Sequence, residues 1–255
     1  MLVRDAIDAS GVEVFMLKRH SGTDFANAYV FPGGLVAEQD NPGDLDPYCD
    51  GLDDAEASRQ LGLSAGGLAY WLAALRECFE ESGFLLARLG SGRLWQSADL
   101  PSDQDATMLR NKLNSREMTM PQFCELAGVT LCCELAQYVA FWTTPEMVRR
   151  RYATRFFVAQ VPEGQTGAAD GRETVASQWV NVRGVLEDPE RIRSMQLHPP
   201  TLVNLQWLGQ FDDAAAVMAA AETMDKQAIG EIVPEVIGDG LGRRVRLNDG
   251  QIVSF

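Results

Sequence analysis

The sequence predicts an α/β or α+β domain. Three observations carry that expectation: strand-like and helix-like patterns interleave along the chain, 46% of the residues are hydrophobic, and no internal repeat or low-complexity linker interrupts it. A length of 255 residues suits one elaborated domain spanning 1–255. The first element is a buried strand, with Val12, Val14 and Met16 alternating with Glu13, Phe15 and Leu17 ahead of the basic Lys18-Arg19-His20 loop. Tyr29-Val30-Phe31 is a second, short strand. It stops at Pro32-Gly33-Gly34, where proline removes a donor and glycine permits backbone angles closed to other residues. Residues 38–63 are rich in Asp, Gly, Pro and Asn and read as a surface insertion. Ser64 then stands as the cap of a helix in which Leu68, Trp71, Leu72, Leu75 and Phe79 form one apolar stripe, and Gly83 ends it.

Phe84 to Arg88 reads as strand again, followed by a turn at Gly90-Ser91-Gly92. Residues 103–127 form a second, mainly helical insertion, with Thr119 and Pro121 as cap and first turn of a short helix. Strands are expected around 135–142 and 154–161, with a short helix at 145–152 between them, and a last core strand at 178–182. A helix follows over 185–192, and after His198-Pro199-Pro200 the alanine-rich stretch to about Met224 is helical by propensity. In the tail from Arg243 to Phe255, Asn248-Asp249-Gly250 between alternating residues signals a hairpin. Residues from about 199 to 255 are thus a C-terminal extension.

A formal charge of −14 argues against general affinity for nucleic acid or an anionic membrane, because a phosphate surface needs neutralising Lys and Arg. No apolar run reaches membrane-spanning length, and no signal-peptide pattern opens the chain. The abrupt start, almost inside a strand-like pattern, reads as a chain with some N-terminal residues missing. Cys49, Cys78, Cys124, Cys132 and Cys133 lack paired metal-ligand spacing and read as the reduced thiols of a cytosolic protein.

The chemistry is concentrated in Arg76-Glu77-Cys78-Phe79-Glu80-Glu81-Ser82-Gly83-Phe84. Each helical residue advances by about 100°, so Glu77, Glu80 and Glu81 project from one side, opposite the apolar stripe. Like charges this close repel by roughly 0.2–0.5 kcal/mol per exposed pair, and a cation would relieve them. Hard oxygen donors suit magnesium, which keeps waters and takes further ligands from substrate phosphate. Glu80 and Glu81 are the first choice as ligands, with Glu77 next. A Glu-rich helix face is ordinarily plain solvated surface. Context argues otherwise here: Arg76 precedes the first Glu, Gly83 closes the helix, and a Gly-Gly pair follows an upstream strand.

These residues resemble the Nudix family, whose box reads G, five residues, E, seven residues, R-E-U-x-E-E-x-G-U, with U a bulky apolar residue. Gly34 matches the opening glycine, and Arg76, Glu77, Glu80, Glu81, Gly83 and Phe84 match the second half, with Cys78 at the first U. Gly34 and Arg76 stand 42 positions apart where the box has 14, an insertion of 28 residues. The box's first Glu therefore has no assigned counterpart: Glu38 lies near its place and Asp40 at the uninterrupted spacing. A long insertion at this point is a feature of the Nudix branch that includes coenzyme A diphosphatases. Phe31-Pro32-Gly33-Gly34-Leu35-Val36, Ala74-Leu75-Arg76-Glu77, Tyr152-Ala153-Thr154-Arg155-Phe156-Phe157 and, more weakly, Pro199-Pro200-Thr201-Leu202 are similar to it.

The resemblance implies an α/β/α sandwich around a mixed central sheet. It also implies magnesium, with manganese able to take its place, held by Glu77, Glu80 and Glu81. Arg76 would orient the carboxylates, and Gly33 and Gly34 would shape the substrate-binding loop that enters the helix. The implied reaction is attack of water on one phosphorus of a nucleoside diphosphate derivative, coenzyme A or an acyl-coenzyme A first. Nucleotide sugars, dinucleotides and oxidised nucleotides are the alternative substrates, and a non-catalytic ligand sensor is the alternative class. Glu77 or Glu80 could be the general base; the family often uses an acidic residue outside the box, for which Glu173 is the candidate. Arg149, Arg150, Arg151 and Arg155 are the one basic concentration, and Arg155 is favoured as a substrate contact. His20 and His198 read as solvent-facing, and Trp71 and Trp179 as core rather than base-stacking platforms. The two insertions are expected to cap the pocket and set specificity. Ending Val253-Ser254-Phe255, the chain lacks the peroxisomal tail, which fits a cytoplasmic protein. Its partner would be a small molecule carrying a diphosphate, and homodimers are common among such relatives.

Overall fold

In the computed structural model, which describes residues 1–8, 10–22, 25–146, 150–237 and 244–255, the elements begin with β1 (Leu2–Asp5), β2 (Val12–Arg19) and β3 (Tyr29–Val30). Then come α1 (Pro42–Leu45), β4 (Cys49–Asp50), α2 (Asp54–Leu61), α3 (Leu68–Ser82) and β5 (Ala87–Leu89). The middle of the chain supplies α4 (Ala106–Asn114), α5 (Met120–Ala127), β6 (Val129–Cys132), β7 (Gln137–Thr143), β8 (Ala153–Gln160) and β9 (Thr174–Asn181). Last are α6 (Val182–Leu186), α7 (Pro189–Ser194), α8 (Pro199–Leu208), α9 (Ala214–Thr223), β10 (Glu231–Ile232), β11 (Glu235–Val236), β12 (Arg244–Arg246) and β13 (Ile252–Ser254). Mixed sheets with helices bear out the α+β expectation. The chain sorts into two compact units.

The first unit comprises residues 1–31, 137–158 and 179–255. Its sheet runs in the order β10-β7-β8-β1-β2-β3, with β9 also pairing with β2. It is mixed, because β10 joins β7 in parallel while β1 and β2, and β7 and β8, are antiparallel. The alternation read from Val12 is one face of this sheet: Val14 and Met16 are fully buried and pack with Val158, Val180, Leu202, Leu205 and Val217. The tail hairpin is present, β12 pairing with β13 so that Val245 faces Val253, with Gly250 bonded back to Leu247 in the turn. Arg243 lies outside the described residues, as do 147–149 and with them Arg149; the helix expected at 145–152 is absent from its described residues, 145–146 and 150–152, where the Thr144 and Tyr152 backbones bond to each other instead.

Three boundaries differ from expectation, two of them at helix caps supplied by aspartates. The helix expected over 185–192 is two, α6 and α7, because the Asp188 carboxylate accepts from Glu190 and Arg191 and restarts the helix at Pro189. The single helix expected up to Met224 is also two. It stops at Gly209, and the Asp213 side chain caps α9 through the Ala216 N–H. The strand expected at 178–182 is longer, starting at Thr174.

The second unit, residues 32–136 and 159–178, is built around α3. The stripe Leu68, Trp71, Leu72, Leu75 and Phe79 is buried, and Phe79 meets the rings of Phe123 and Trp95 at 4.9 and 5.9 Å. A small sheet, β4-β6-β5, lies in the same unit. Ser64 is not the cap of α3. Its first N–H groups are met from the preceding helix, the Asp54 carboxylate accepting from Gly66 at 2.9 Å and Leu68 at 3.0 Å. Nor is residues 38–63 plain surface: α1 and α2 fold within it and bury Leu45, Ala57 and Leu61. In the second insertion Thr119 caps α5 as expected, in a reciprocal box with Gln122. The strand expected at 84–88 starts only at Ala87, because the Leu85 backbone is bonded on both sides by the Gln165 side-chain amide.

Candidate active site

Helix α3 carries the charged residues on the side away from its apolar stripe, yet that side is buried too: Arg76 is 3% exposed, Glu80 7% and Glu81 4%. An arginine that deep in the protein must be fully paired. Its Nε donates to Asp40 Oδ1 at 2.7 Å and its Nη2 to Asp40 Oδ2 at 2.9 Å, a two-pronged pair. Nη1 donates to Glu77 at 2.8 Å and Glu80 at 2.9 Å, and Nη2 also to the Leu35 carbonyl at 3.0 Å. Burial alone would lower the pKa of Arg76, but the hydrogen bonds of Asp40 and the charges of Glu77, Asp40 and Glu80 outweigh it, so the guanidinium stays charged.

Of the two acidic residues near the place of the box's first Glu, it is Asp40 that meets Arg76. Glu38 is exposed, whereas Asp40 has no exposure and takes the Arg76 fork. The Ala37 N–H also donates to Asp40, at 2.7 Å, closing a short 3-10 turn over Glu38–Asp40 around the carboxylate.

The glycine pair is fitted to the same carboxylates. Gly33 N–H donates to Glu81 Oε2 at 2.9 Å. A Cβ on Gly34 would fall 2.3 Å from the Glu77 carboxyl carbon, so a side chain there would expel Glu77 from its place. At the far end of the helix Gly83 takes φ +82, the left-handed conformation that ends the helix at little steric cost.

Burial pushes the Glu80 pKa up to about 7, although the Arg76 charge opposes the rise. Glu77 is raised for the same reason, again against Arg76, with the charges of Asp40 and Glu173 adding to the shift. Glu173 itself is exposed, its backbone N–H bonded to Asp170. Glu80 Oε1 is buried with no hydrogen-bond donor. A carboxylate oxygen left in that state costs about 1–3 kcal/mol or more, and a cation against it would remove the cost. The donor set therefore fits a hard divalent ion. Among the described residues no group of three metal-binding side chains is already drawn together as a cage, since the Arg76 guanidinium lies among these carboxylates.

Arg155 belongs to the first unit, on β8, where its guanidinium stacks 4.4 Å above the Phe141 ring. Trp71 is core, its indole N–H donating to the Ala136 carbonyl at 2.8 Å. Trp179 packs edge-on against Phe15, with Arg4 over its ring. His20 is exposed and accepts from Gly22, and His198 begins α8 beside Phe25. Sequence reasoning missed Arg110 and Asn114 on α4, which both donate to the Glu80 carbonyl, at 2.8 and 3.1 Å. Nothing in their own spacing marks them. Only their place in an insertion beside a charged helix could have drawn attention.

An inserted box closed by an Arg-Asp fork, with three glutamates on the following helix, is the arrangement of a Nudix-type site. The chain belongs to that family: the model of the NUDT19 Nudix domain matches residues 52–208, which include every glutamate singled out above except Glu38. It is 26% identical over 235 residues to the acyl-coenzyme A diphosphatase NUDT19 of Xenopus laevis, covering 80% of this chain and 61% of that protein. It is 27% identical over 201 residues to putative nudix hydrolase 7 of Caenorhabditis elegans, covering 78% of this chain and 57% of that one. The chain thus spans about three fifths of the length of these curated relatives. Among solved structures, a Nudix hydrolase from Alicyclobacillus acidocaldarius superposes with a TM-score of 0.66 at 25% identity, over 86% of this chain and 92% of that one, which agrees with the Nudix-type fold. Among the described residues no helix is long and apolar enough to cross a membrane.

Proposed function

We propose that this protein is a divalent-metal-dependent diphosphatase that hydrolyses the diphosphate linkage of coenzyme A or an acyl-coenzyme A. The observation that carries the reaction type is the buried Glu80 carboxylate with one oxygen lacking a donor, on the same helix as Glu77 and Glu81. The substrate class is supported by the relative named as an acyl-coenzyme A diphosphatase and by the long insertion within the box.

Glu77, Glu80 and Glu81 would hold the ion, magnesium first and manganese as its substitute. When bound, the ion neutralises phosphate oxygens and lowers the pKa of a coordinated water. Asp40 fixes the Arg76 fork, and Arg76 in turn fixes the carboxylates of Glu77 and Glu80. The Gly33 N–H holds Glu81, and Gly34 leaves room for Glu77. Glu77, or Glu173 whose charge reaches it, is the proposed acceptor of the water proton. The part given to Arg155 in holding substrate is carried by the sequence alone, and Arg155→Ala should raise KM for a coenzyme A substrate with little change in kcat.

The test is hydrolysis of coenzyme A and acyl-coenzyme A with magnesium or manganese, products read by mass, which identifies the phosphorus bond broken. Adenosine 3′,5′-diphosphate and a phosphopantetheine product are expected, and Glu80→Gln and Glu81→Gln should each remove at least about 100-fold of kcat. A wild-type protein inert toward coenzyme A, nucleotide sugars, dinucleotides and oxidised nucleotides, yet binding a nucleotide tightly, would establish the sensor class instead.

A further inference from the structure

The C-terminal turn of α3 has to find partners for its last carbonyls, which have none within the helix. The Gly83 N–H takes that of Phe79 at 2.9 Å, and the Ala168 N–H takes that of Ser82 at 2.9 Å. The carbonyl of Glu80 is met differently, by two side chains of one other helix. Arg110 Nε donates to it at 2.8 Å and Asn114 Nδ2 at 3.1 Å, four residues apart on the same face of α4. The other prong of Arg110, Nη2, donates to the Ala168 carbonyl at 2.9 Å. Ala168 is therefore held through both its backbone groups, to α3 directly and to α4 through Arg110.

The segment that contains Ala168 continues through Asp170, which bonds the backbone of Arg172, Glu173 and Thr174. One guanidinium thus joins the helix that carries Glu80 and Glu81 to the loop that carries Glu173. Arginine suits this task because its planar fork meets two separate carbonyls at once, which a lysine ammonium on its flexible stem does with less geometric definition. Arg110 is half-buried and its pKa is lowered by desolvation, so its seat has a cost that the two carbonyl bonds offset. Gly83 leaves space for it: a Cβ there would come within 3.3 Å of Arg110 Nη1.

We propose that Arg110, assisted by Asn114, is a positioning residue that holds the candidate metal-binding glutamates of α3 in register with the loop of Glu173, so that the second insertion serves as a brace for the site. This rests on the diphosphatase reading above. Groups behind metal ligands set ligand orientation, and their loss costs about 10–100-fold in metal affinity or activity.

The experiment compares the wild type with Arg110→Met, Arg110→Lys, Asn114→Ala and, as a control on the exposed side of α4, Asn111→Ala. Two readouts are taken on each folded protein: manganese affinity by titration of the metal-free protein, followed by electron paramagnetic resonance, and kcat and KM for coenzyme A hydrolysis at saturating metal. Arg110→Met should weaken manganese binding and lower kcat, each about 10–100-fold, while KM stays within about twofold. Arg110→Lys should recover part of both losses, Asn114→Ala should show a smaller loss, and Asn111→Ala should match the wild type. Unchanged manganese affinity and kcat in Arg110→Met, with the wild type active, would overturn the brace and leave the diphosphatase reading standing. A wild type that neither binds manganese nor hydrolyses coenzyme A would overturn both. If Arg110→Met does not fold, Arg110→Lys decides alone: wild-type values in both readouts would overturn the proposal, and a loss in both would support it.

Discussion

The first unit fills its centre with valine, leucine, alanine and methionine, from Val3 and Met16 through Leu205 to Val253, whereas the second buries Arg76, Asp40, Glu80 and Glu81 along one flank of its central helix. The two solutions differ in what they do for stability. Burying an aliphatic side chain stabilises the fold by about 1.5–3 kcal/mol, whereas each buried ion is held against a desolvation cost of several kcal/mol that only good partners offset. The first unit therefore has the composition of a scaffold. The second keeps a buried polar arrangement whose stability rests on every partner staying in place.

The largest effect should come from breaking the Arg76–Asp40 fork. Arg76→Met leaves Asp40 buried without its cation, and a loss of about 3–5 kcal/mol in unfolding free energy is expected by urea denaturation, together with loss of activity. Asp40→Ala should cost a similar amount. A change below about 1 kcal/mol in both would mean that the pair is not the keystone of the second unit, and the contrast between the units would fail there.

Glu80→Gln sharpens the contrast in the opposite sense. Glu80 has a raised pKa and one oxygen without a donor, so removing its charge relieves a cost. The melting temperature of the metal-free protein should hold or rise at pH 8 while coenzyme A hydrolysis falls about 10²–10⁴-fold, the range of a group that acts in the transition state. A core change in the first unit should behave in reverse. Leu205→Ala, at a fully buried position of α8, should cost about 2–5 kcal/mol while kcat per folded molecule stays near the wild-type value. A drop in kcat as large as that of Glu80→Gln would erase the division between scaffold and chemistry.

Much of this contrast could be read from the residues in order. The apolar stripe of α3, the glutamates opposite it, the Gly83 stop and the Thr119 cap depend on spacing within a few residues, and the structure shows each of them. What escaped depends on partners far along the chain. Asp40 and Glu38 are indistinguishable by local pattern; only the fold shows which one is buried against Arg76, 36 residues away. Ser64 looks like a cap because it precedes an apolar run, but Asp54, from another helix, reaches the same N–H groups. The hold of Arg110 on the Glu80 carbonyl spans 30 residues and involves a backbone group, which has no signature in sequence at all. The break at Gly209 is present as a residue, but the alanine run on its C-terminal side has a helix propensity that masks it.

The smallest effect concerns alkaline pH, where one titrating group in each unit should act with opposite sign. Cys124 in α5 has its thiol pushed up to about 12 by burial, from an ordinary value of 9.0. Above pH 9 the unfolded chain loses this proton while the folded one keeps it. The stability it contributes is therefore complete below pH 9 and declines as pH rises toward 12. Lys226, after α9 in the first unit, has its pKa lowered to about 8 from 10.5 by burial, with its ammonium donating to the carbonyls of Tyr138 and Ala221. Between pH 8 and 10.5 the unfolded chain binds the extra proton, so stability gains from this residue as pH rises through that window. Urea denaturation from pH 7.5 to 11 should thus show Cys124→Ala losing less stability than the wild type above pH 9, and Lys226→Met lacking a gain that the wild type has between pH 8 and 10.5. Parallel curves for all three proteins would mean that neither group titrates differently in the folded state, and the opposed response of the two units to alkali would be lost.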